Sequence, residues 1–354
     1  MSNKIKVLIV DDSALVRKIF SDIIDKDPAL EVVGIAQNGT IALRKMEELN
    51  PDIVTLDIEM PHLDGFGVLK EIVAKGYNAK VIMVSGLTLE GAQTTLKALE
   101  LGAIDFITKP SGRSGELQGL SEALIGKIHE IAKVDISKFH RERKVTEVPA
   151  DRPVKKIISS SDVPKKFVAI GTSTGGPQAL KEVFMSGELP EDCAVLIVQH
   201  MPAEFTGPFA ERLNHVSKLR VTEAKNNDPI QTGWAYVAPG HSHLEIAFQN
   251  GKPHIKLYQS EKVSGHMPSI DVLFRSVAKT CAKSTVAVIM TGMGRDGADG
   301  IKQIKLGGGR TLAQDKESSV VFGMNKEAID IGAIEQVTPL REIAGSVNAL
   351  VSKL

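Results

Sequence analysis

The stretch KVLIVDDSALVRKIFSDII, residues 6–24, changes character halfway along. Its apolar run at 7–10 suits a buried strand, whereas Leu15, Val16, Ile19, Phe20, Ile23 and Ile24 recur at helical spacing on one stripe. Between the two sit Asp11 and Asp12. A strand, an acidic corner and an amphipathic helix form the unit from which parallel α/β sheets are wound. The unit repeats downstream, with strands expected at 6–10, 32–36, 52–57, 80–84 and 105–108, and a last helical stripe at Leu117, Leu120, Leu124, Ile128 and Ile131. Residues 1–125 therefore read as a doubly wound domain on a five-stranded parallel sheet.

From about Lys133 to Lys166 the pattern fails, and charges, serines and Pro149, Pro153 and Pro164 replace it. The reading places a linker at 126–164 and a second domain at 165–354. Strands are expected there at 167–171, 194–200, 219–224, 234–238, 254–258, 284–291 and 310–313. The clearest helix carries Ile270, Leu273, Phe274, Val277, Ala278 and Cys281. This predicts a second α/β domain with a mostly parallel sheet.

Composition bounds the function. With 354 residues and 42% hydrophobic content the chain can bury two ordinary cores. Lys+Arg 43 against Asp+Glu 43 gives no net charge, which argues against a general polyanion binder. The apolar run near the N-terminus is too short for a signal peptide or a membrane span, so a cytoplasmic protein without membrane insertion is expected. Cys193 and Cys281 lack metal-ligand spacing and read as buried free thiols. The second half lacks a helix-turn-helix pattern and a basic recognition helix, so no nucleic acid partner is expected.

In the first domain Asp11, Asp12, Asp57, Ser85 and Lys109 all fall at the C-terminal ends of expected strands, the edge where open α/β sheets bind ligands. Taken singly, each serves equally well as a cap or a surface residue. Together they describe a phosphoryl site. Three clustered carboxylates repel one another unless a hard cation such as Mg²⁺ sits among them, and Lys109 and Ser85 would neutralise a phosphoryl group arriving at Asp57. At these residues 4–125 resemble a response-regulator receiver, with VDDSALVRK, LDIEMPHLDG, VSG and DFITKP matching its pattern. The resemblance implies a flavodoxin-like fold, Asp57 as phosphoacceptor for a chemotaxis histidine kinase, and Phe106 as an aromatic switch.

In the second domain VAIGTSTGGPQAL, residues 168–180, is not a phosphate loop: Pro177 stands where a Walker lysine is required, and the glycines miss dinucleotide spacing. It does fit G-x-S-x-G, a strained strand-to-helix turn presenting Ser173, although a tight turn with capping hydroxyls reads similarly. A serine nucleophile needs a base and an orienter. His200 ends one apolar strand and Asp296 follows another, so both sit where Ser173 sits. Alone, His200 could be a hydrogen-bonded strand end and Asp296 a helix N-cap. The chain order Ser, His, Asp does not support an α/β-hydrolase fold.

GTSTGG, VQHMP, APGHSHL, HMPSIDVLF, TGMGRDGADG and AQDKESSVVFGM resemble the catalytic domain of the CheB family of chemotaxis receptor methylesterases. The resemblance implies Ser173 as nucleophile, His200 as base and Asp296 as orienter, with the Met293 N–H and Thr174 at the oxyanion. It also implies His266 and Pro268 along a groove for a receptor helix, methyl-accepting chemotaxis receptors as substrates, glutamine deamidation as a second activity, and no cofactor for the esterase. Thr172, where the family commonly has alanine, adds bulk and a hydroxyl, and Asn325, where proline is usual, is expected to loosen the turn before Lys326. A receiver joined to a non-catalytic output, its serine turn purely structural, is the alternative. His241 and His243 could pair on a metal but read better as loop histidines, and Trp234 and Tyr236 as core.

Overall fold

The computed structural model describes residues 4–110, 116–136, 163–186 and 188–354. The chain divides into two compact units, Met1–Ala150 and Asp151–Leu354.

The first unit alternates strands β1 (Ile5–Val10), β2 (Leu30–Ala36), β3 (Ile53–Asp57), β4 (Lys80–Ser85) and β5 (Asp105–Thr108) with helices α1 (Ala14–Ile24), α2 (Gly39–Leu49), α3 (Gly65–Lys75), α4 (Leu89–Leu101) and α5 (Glu116–Ala132). The sheet is wholly parallel in the order β2-β1-β3-β4-β5. Strand order reverses between β1 and β3, so the acidic corner after β1 and Asp57 at the end of β3 flank the crevice that this reversal opens. Ser13, whose hydroxyl accepts from the Val16 N–H, starts α1, and Val16, Phe20, Ile23 and Ile24 form its buried face. The expected stripes are narrower than the sequence suggested. Leu15, directly before buried Val16, is 69% exposed, and Leu117, two turns before the first buried residue of α5, is 54% exposed. Burial of Leu124, Ile128 and Ile131 carries α5 to Ala132, past the boundary expected at 125.

The second unit has a seven-stranded, all-parallel sheet in the order β14-β13-β12-β6-β7-β9-β8. Its strands are β6 (Phe167–Thr172), β7 (Ala194–Gln199), β8 (Arg220–Glu223), β9 (Trp234–Val237), β12 (Thr285–Ile289), β13 (Arg310–Gln314) and β14 (Gln336–Thr338). An antiparallel ribbon pairs β10 (His243–Gln249) with β11 (Lys252–Tyr258). The helices are α6 (Gly176–Met185), α7 (Ala203–Val216), α8 (Ile270–Thr280), α9 (Ala298–Leu306), α10 (Met324–Asp330) and α11 (Ile343–Val351). On α8, Ile270, Leu273, Phe274 and Val277 are buried as the periodicity required, each contributing roughly 1.5–3 kcal/mol on leaving water. Tyr236 is core, Trp234 is half-buried and stacks on it, and Cys193 is buried while Cys281 is only half-buried. Strand order reverses between β6 and β12, which places a second crevice at their C-terminal ends. Among the described residues no helix is long and apolar enough to cross a membrane.

Candidate active site

Ser173, His200 and Asp296 follow β6, β7 and β12, the three central strands of the larger sheet. The backbone is pinned where each strand ends. The Ser173 N–H donates to the Thr291 carbonyl at 3.0 Å, and the His200 N–H donates to the Thr172 carbonyl at 3.2 Å. His200 Nδ1 lies 3.2 Å from Ser173 Oγ, and Nε2 lies 2.8 Å from Asp296 Oδ2. An ionised carboxylate can only accept, so the Nε2 proton faces Asp296 and the Nδ1 lone pair faces the serine hydroxyl. That is the arrangement a general base requires.

Asp296 is 1% exposed and accepts four hydrogen bonds. Besides His200 these come from Ser269 Oγ at 2.8 Å and the Asp271 N–H at 3.1 Å on Oδ1, and from the Ile270 N–H at 2.7 Å on Oδ2. The carboxylate therefore sits at the N-terminus of α8, where unpaired N–H groups and the helix dipole favour a negative charge. Burial alone would raise its pKa, but the His200 contact and these donors overcome it and hold Asp296 below the usual carboxylate range.

The turn presenting Ser173 differs from the strained elbow expected. Its left-handed residue is Gly175, at φ 77°, and Ser173 keeps a negative φ. Gly176, the first residue of α6, has no room for a side chain, since a Cβ there would lie 2.0 Å from Gln199 Oε1, and neither has Gly292, whose Cβ would lie 2.7 Å from Ser173 Cβ. Thr172 and Asn325, the two departures, are both built in. The Thr172 hydroxyl donates to Gln199 Oε1, which leaves Gln199 Nε2 to donate to the Ser173 and His200 carbonyls, each at 3.0 Å. Asn325 is fully buried and its Nδ2 donates to the Gln314 carbonyl and to Ser319 Oγ, so it ties the turn down where loosening was expected.

The remaining residues singled out from the sequence fall around this cluster. Among the described residues the Met293 N–H donates to no other group. Thr174 is buried, and its carbonyl accepts from Thr291 Oγ1 at 2.9 Å. The His266 ring stacks on His200 with centroids 3.6 Å apart and planes 10° from parallel. Pro268 is buried, directly before Ser269. His243 is no loop residue: it begins β10, fully buried, with Nε2 3.2 Å from the Glu261 carbonyl and Nδ1 accepting from the Ser269 N–H at 3.2 Å. The sequence reading gave Ser269 and Gln199 no role and placed His243 in a loop. A serine just before the α8 stripe reads as an N-cap, but its hydroxyl turns to Asp296, with no side-chain cap bond to its own helix.

In the first unit, Asp11, Asp12 and Asp57 bring one carboxylate oxygen each within 4.8 Å of the others. Lys109 Nζ lies 2.8 Å from Asp57 Oδ2 and 3.2 Å from Asp11 Oδ2. These are ion-pair distances without hydrogen-bond geometry, so both buried oxygens have no hydrogen-bond partner. Three acidic oxygens this close, two of them buried with no hydrogen bond and sharing one ammonium, fit a hard divalent cation. Burial and the Asp11 charge push Asp57 up to about 6 despite Lys109. Asp11 is likewise raised, chiefly by burial, with Lys109 opposing. Ser85 is buried at the end of β4, its hydroxyl donating to the Gly91 and Gly86 carbonyls, and its own carbonyl accepts from the Lys109 N–H at 2.7 Å. Phe106 is buried on β5, opposite Met83 of β4.

Residues 168–347 match the family described as CheB methylesterase, and residues 7–119 match the response regulator receiver domain. A protein-glutamate methylesterase/protein-glutamine glutaminase of Pyrococcus horikoshii is 47% identical over 351 residues, covering 98% of this chain and 94% of that protein. The protein of the same description from Pyrococcus abyssi is 46% identical over 355 residues, covering 99% and 95%. The crystal structure of the Thermotoga maritima CheB methylesterase catalytic domain superposes with a TM-score of 0.51 at 40% identity, covering 52% of this chain and 98% of that one.

Proposed function

The chain belongs to the CheB methylesterase family, and on that premise we propose that it is a phosphorylation-activated serine hydrolase that removes methyl groups from glutamyl esters of chemotaxis receptors and deamidates receptor glutamines. The observation that carries this reading is the line from Ser173 Oγ through His200 to a buried, four-bonded Asp296. A purely structural serine turn would need neither a lone pair aimed at the hydroxyl nor a charge buried behind the imidazole.

Ser173 Oγ attacks the ester carbonyl carbon while His200 Nδ1 takes the hydroxyl proton, and the imidazolium is stabilised through Nε2–H by Asp296. Negative charge on the carbonyl oxygen is met by the unengaged Met293 N–H, beside Gly292, whose close approach to Ser173 brings that segment to the nucleophile. Thr174 stands next to it. The carbon–methoxy bond then breaks, and His200 Nδ1 returns its proton to the leaving oxygen as methanol. Water, deprotonated by His200, attacks the acyl group, and Ser173 is restored as glutamate leaves. With a glutamine substrate the same proton goes to nitrogen, and ammonia leaves instead. No cofactor enters these steps. His266, stacked on His200, and Pro268 border the path of the receptor segment.

In the receiver, Asp57 accepts a phosphoryl group from a chemotaxis histidine kinase. Asp11, Asp12 and Asp57 would hold Mg²⁺, which neutralises phosphoryl charge when bound. Lys109 pairs with the charge that arrives at Asp57, and Ser85, on the adjacent strand β4, and Phe106, one strand further on β5, respond to it. The protein works on the cytoplasmic side, where the receptor glutamates and the kinase lie.

Mass spectrometry of methylated receptor peptides incubated with the full chain and a phosphodonor tests the reading. Each converted site loses 14 Da for an ester or gains 1 Da for a glutamine, and Ser173→Ala abolishes both changes. Normal turnover by Ser173→Ala refutes the mechanism.

A further inference from the structure

His243 and Ser269 are fully buried, carry reactive side-chain atoms, and have no role in the steps above. We infer that Ser269, held in place by His243, is a positioning residue for Asp296; the inference rests on the reading of Ser173, His200 and Asp296 as the hydrolytic triad.

The polarity of the chain follows from its donors. The Ser269 N–H donates to His243 Nδ1 at 3.2 Å, so Nδ1 carries no proton. The ring proton is therefore on Nε2, where the Glu261 carbonyl accepts it at 3.2 Å. A neutral ring fixed at both nitrogens anchors the Ser269 backbone from the start of β10. The Ser269 hydroxyl then has one strong acceptor in reach, Asp296 Oδ1 at 2.8 Å, and donates there.

This bond has a specific mechanical consequence. Asp296 Oδ2 must lie in the plane of the His200 ring to receive its Nε2 proton, and rotation about the Asp296 Cβ–Cγ bond would carry it out. The Ile270 N–H holds Oδ2, and only the Ser269 hydroxyl and the longer Asp271 N–H bond hold Oδ1 against that rotation. Both bonds end on the same charged oxygen, but the Ser269 bond has the ideal O–H···O length at 2.8 Å while the Asp271 N–H bond is stretched to 3.1 Å, so Ser269 is the main restraint on Oδ1. His243 touches neither Asp296 oxygen and acts through the Ser269 backbone, which carries the hydroxyl and leads into the Ile270 N–H. It should therefore matter more when Ser269 carries its hydroxyl than when it does not.

The full chain, phosphorylated, is assayed on methylated receptor, and the downfield proton resonance of the His200 Nε2–H to Asp296 bond is recorded for each variant. Ser269→Ala is expected to lower kcat about 10- to 100-fold with KM unchanged and to shift the resonance, and Ser269→Thr, which keeps the hydroxyl, to restore both. His243→Leu should act in the same direction, and adding it to Ser269→Ala should cost less than it costs in the wild type. Thermal melts identify a variant that fails to fold; should Ser269→Ala do so, His243→Leu carries the test, and wild-type kcat with an unmoved resonance in that variant overturns the inference. A Ser269→Ala enzyme within twofold of wild type with an unmoved resonance overturns the inference, as do fully additive losses in the double variant. Absence of ester hydrolysis by the wild type overturns the proposed function instead, while the resonance still decides whether Ser269 holds Asp296.

Discussion

Asp296→Asn separates two ways in which the carboxylate could serve His200. An asparagine can sit in the site in two orientations. With its oxygen toward Ser269 and Asp271, its NH₂ group opposes both the Ile270 N–H at 2.7 Å and His200 Nε2, which forces the imidazole into the opposite tautomer. With its oxygen toward Ile270 and His200, the NH₂ meets the Ser269 hydroxyl, which can turn to accept, and opposes only the Asp271 N–H at 3.1 Å. The second orientation has the milder conflict, so the variant should keep the working tautomer and lose only the charge. Two unit charges about 4 Å apart at an effective dielectric near 20 attract by about 4 kcal/mol, or roughly 10³ in rate. We expect kcat on methylated receptor to fall about 10³-fold with KM little changed, against about 10⁴ for a reversed tautomer. The opposed Asp271 N–H should cost about 1–3 kcal/mol of stability, visible in a thermal melt. Steady-state kinetics of the variant, beside Ser173→Ala as the floor, decide it. A loss below tenfold would show that Asp296 does not support the imidazolium, and a loss confined to KM would move its role to substrate binding.

Other outcomes follow from the same geometry. Thr172→Ala removes the donor that sets the Gln199 amide and should lower kcat about fivefold, the worth of one buried neutral hydrogen bond, whereas Gly176→Ala, whose Cβ would lie 2.0 Å from Gln199 Oε1, should be markedly worse; equal rates in all three proteins would dismiss the clamp. Asp57 is raised to about 6 from an ordinary 3.8, so folding takes up a proton between those values and the Asp57 contribution to stability becomes more favourable as pH falls from 7 toward 4. In chelator, Asp57→Asn should therefore be the more stable protein by up to about 3 kcal/mol above pH 7, with the gap closing by pH 4, and melts in which the gap widens in acid would contradict that sign. Acetyl phosphate with Mg²⁺ should label Asp57 and raise ester hydrolysis, and chelation or Asp57→Asn should remove both effects; stable phosphate on a serine would point elsewhere.

The first domain was legible because its chemistry is distributed one strand end at a time. Asp11, Asp57, Ser85 and Lys109 each close an apolar run, and a parallel sheet brings such ends to one edge whatever the details of packing. Helix faces were less legible: Leu15 sits at helical spacing from Ile19 and yet is 69% exposed, because an 11-residue helix on a twisted sheet buries a narrower stripe than periodicity suggests. Of the ribbon, β11 matches the strand expected at 254–258, whereas β10 was not expected although it carries a strand signal. Leu244, Ile246 and Phe248 alternate with Glu245, Ala247 and Gln249 as a strand should, but the preceding glycine and histidines read as a loop.

Asp296 shows most clearly where a one-dimensional reading stops. From the sequence its two readings, helix N-cap and member of a triad, compete, and the helix in question is the one that follows, α9. In the structure the N–H groups it receives are those of Ile270 and Asp271, which open α8, 25 or 26 residues earlier in the chain. The two readings then cease to compete. A carboxylate has four lone-pair sites, and the α8 terminus and Ser269 take three of them without displacing the His200 Nε2–H on Oδ2. The same helix N-terminus that needs a capping anion stabilises the charge that the imidazole needs behind it, so burial, which alone would favour the neutral acid, instead yields an ionised group with its pKa lowered. Such a site depends on two segments meeting in space, and neither segment carries a mark of the other.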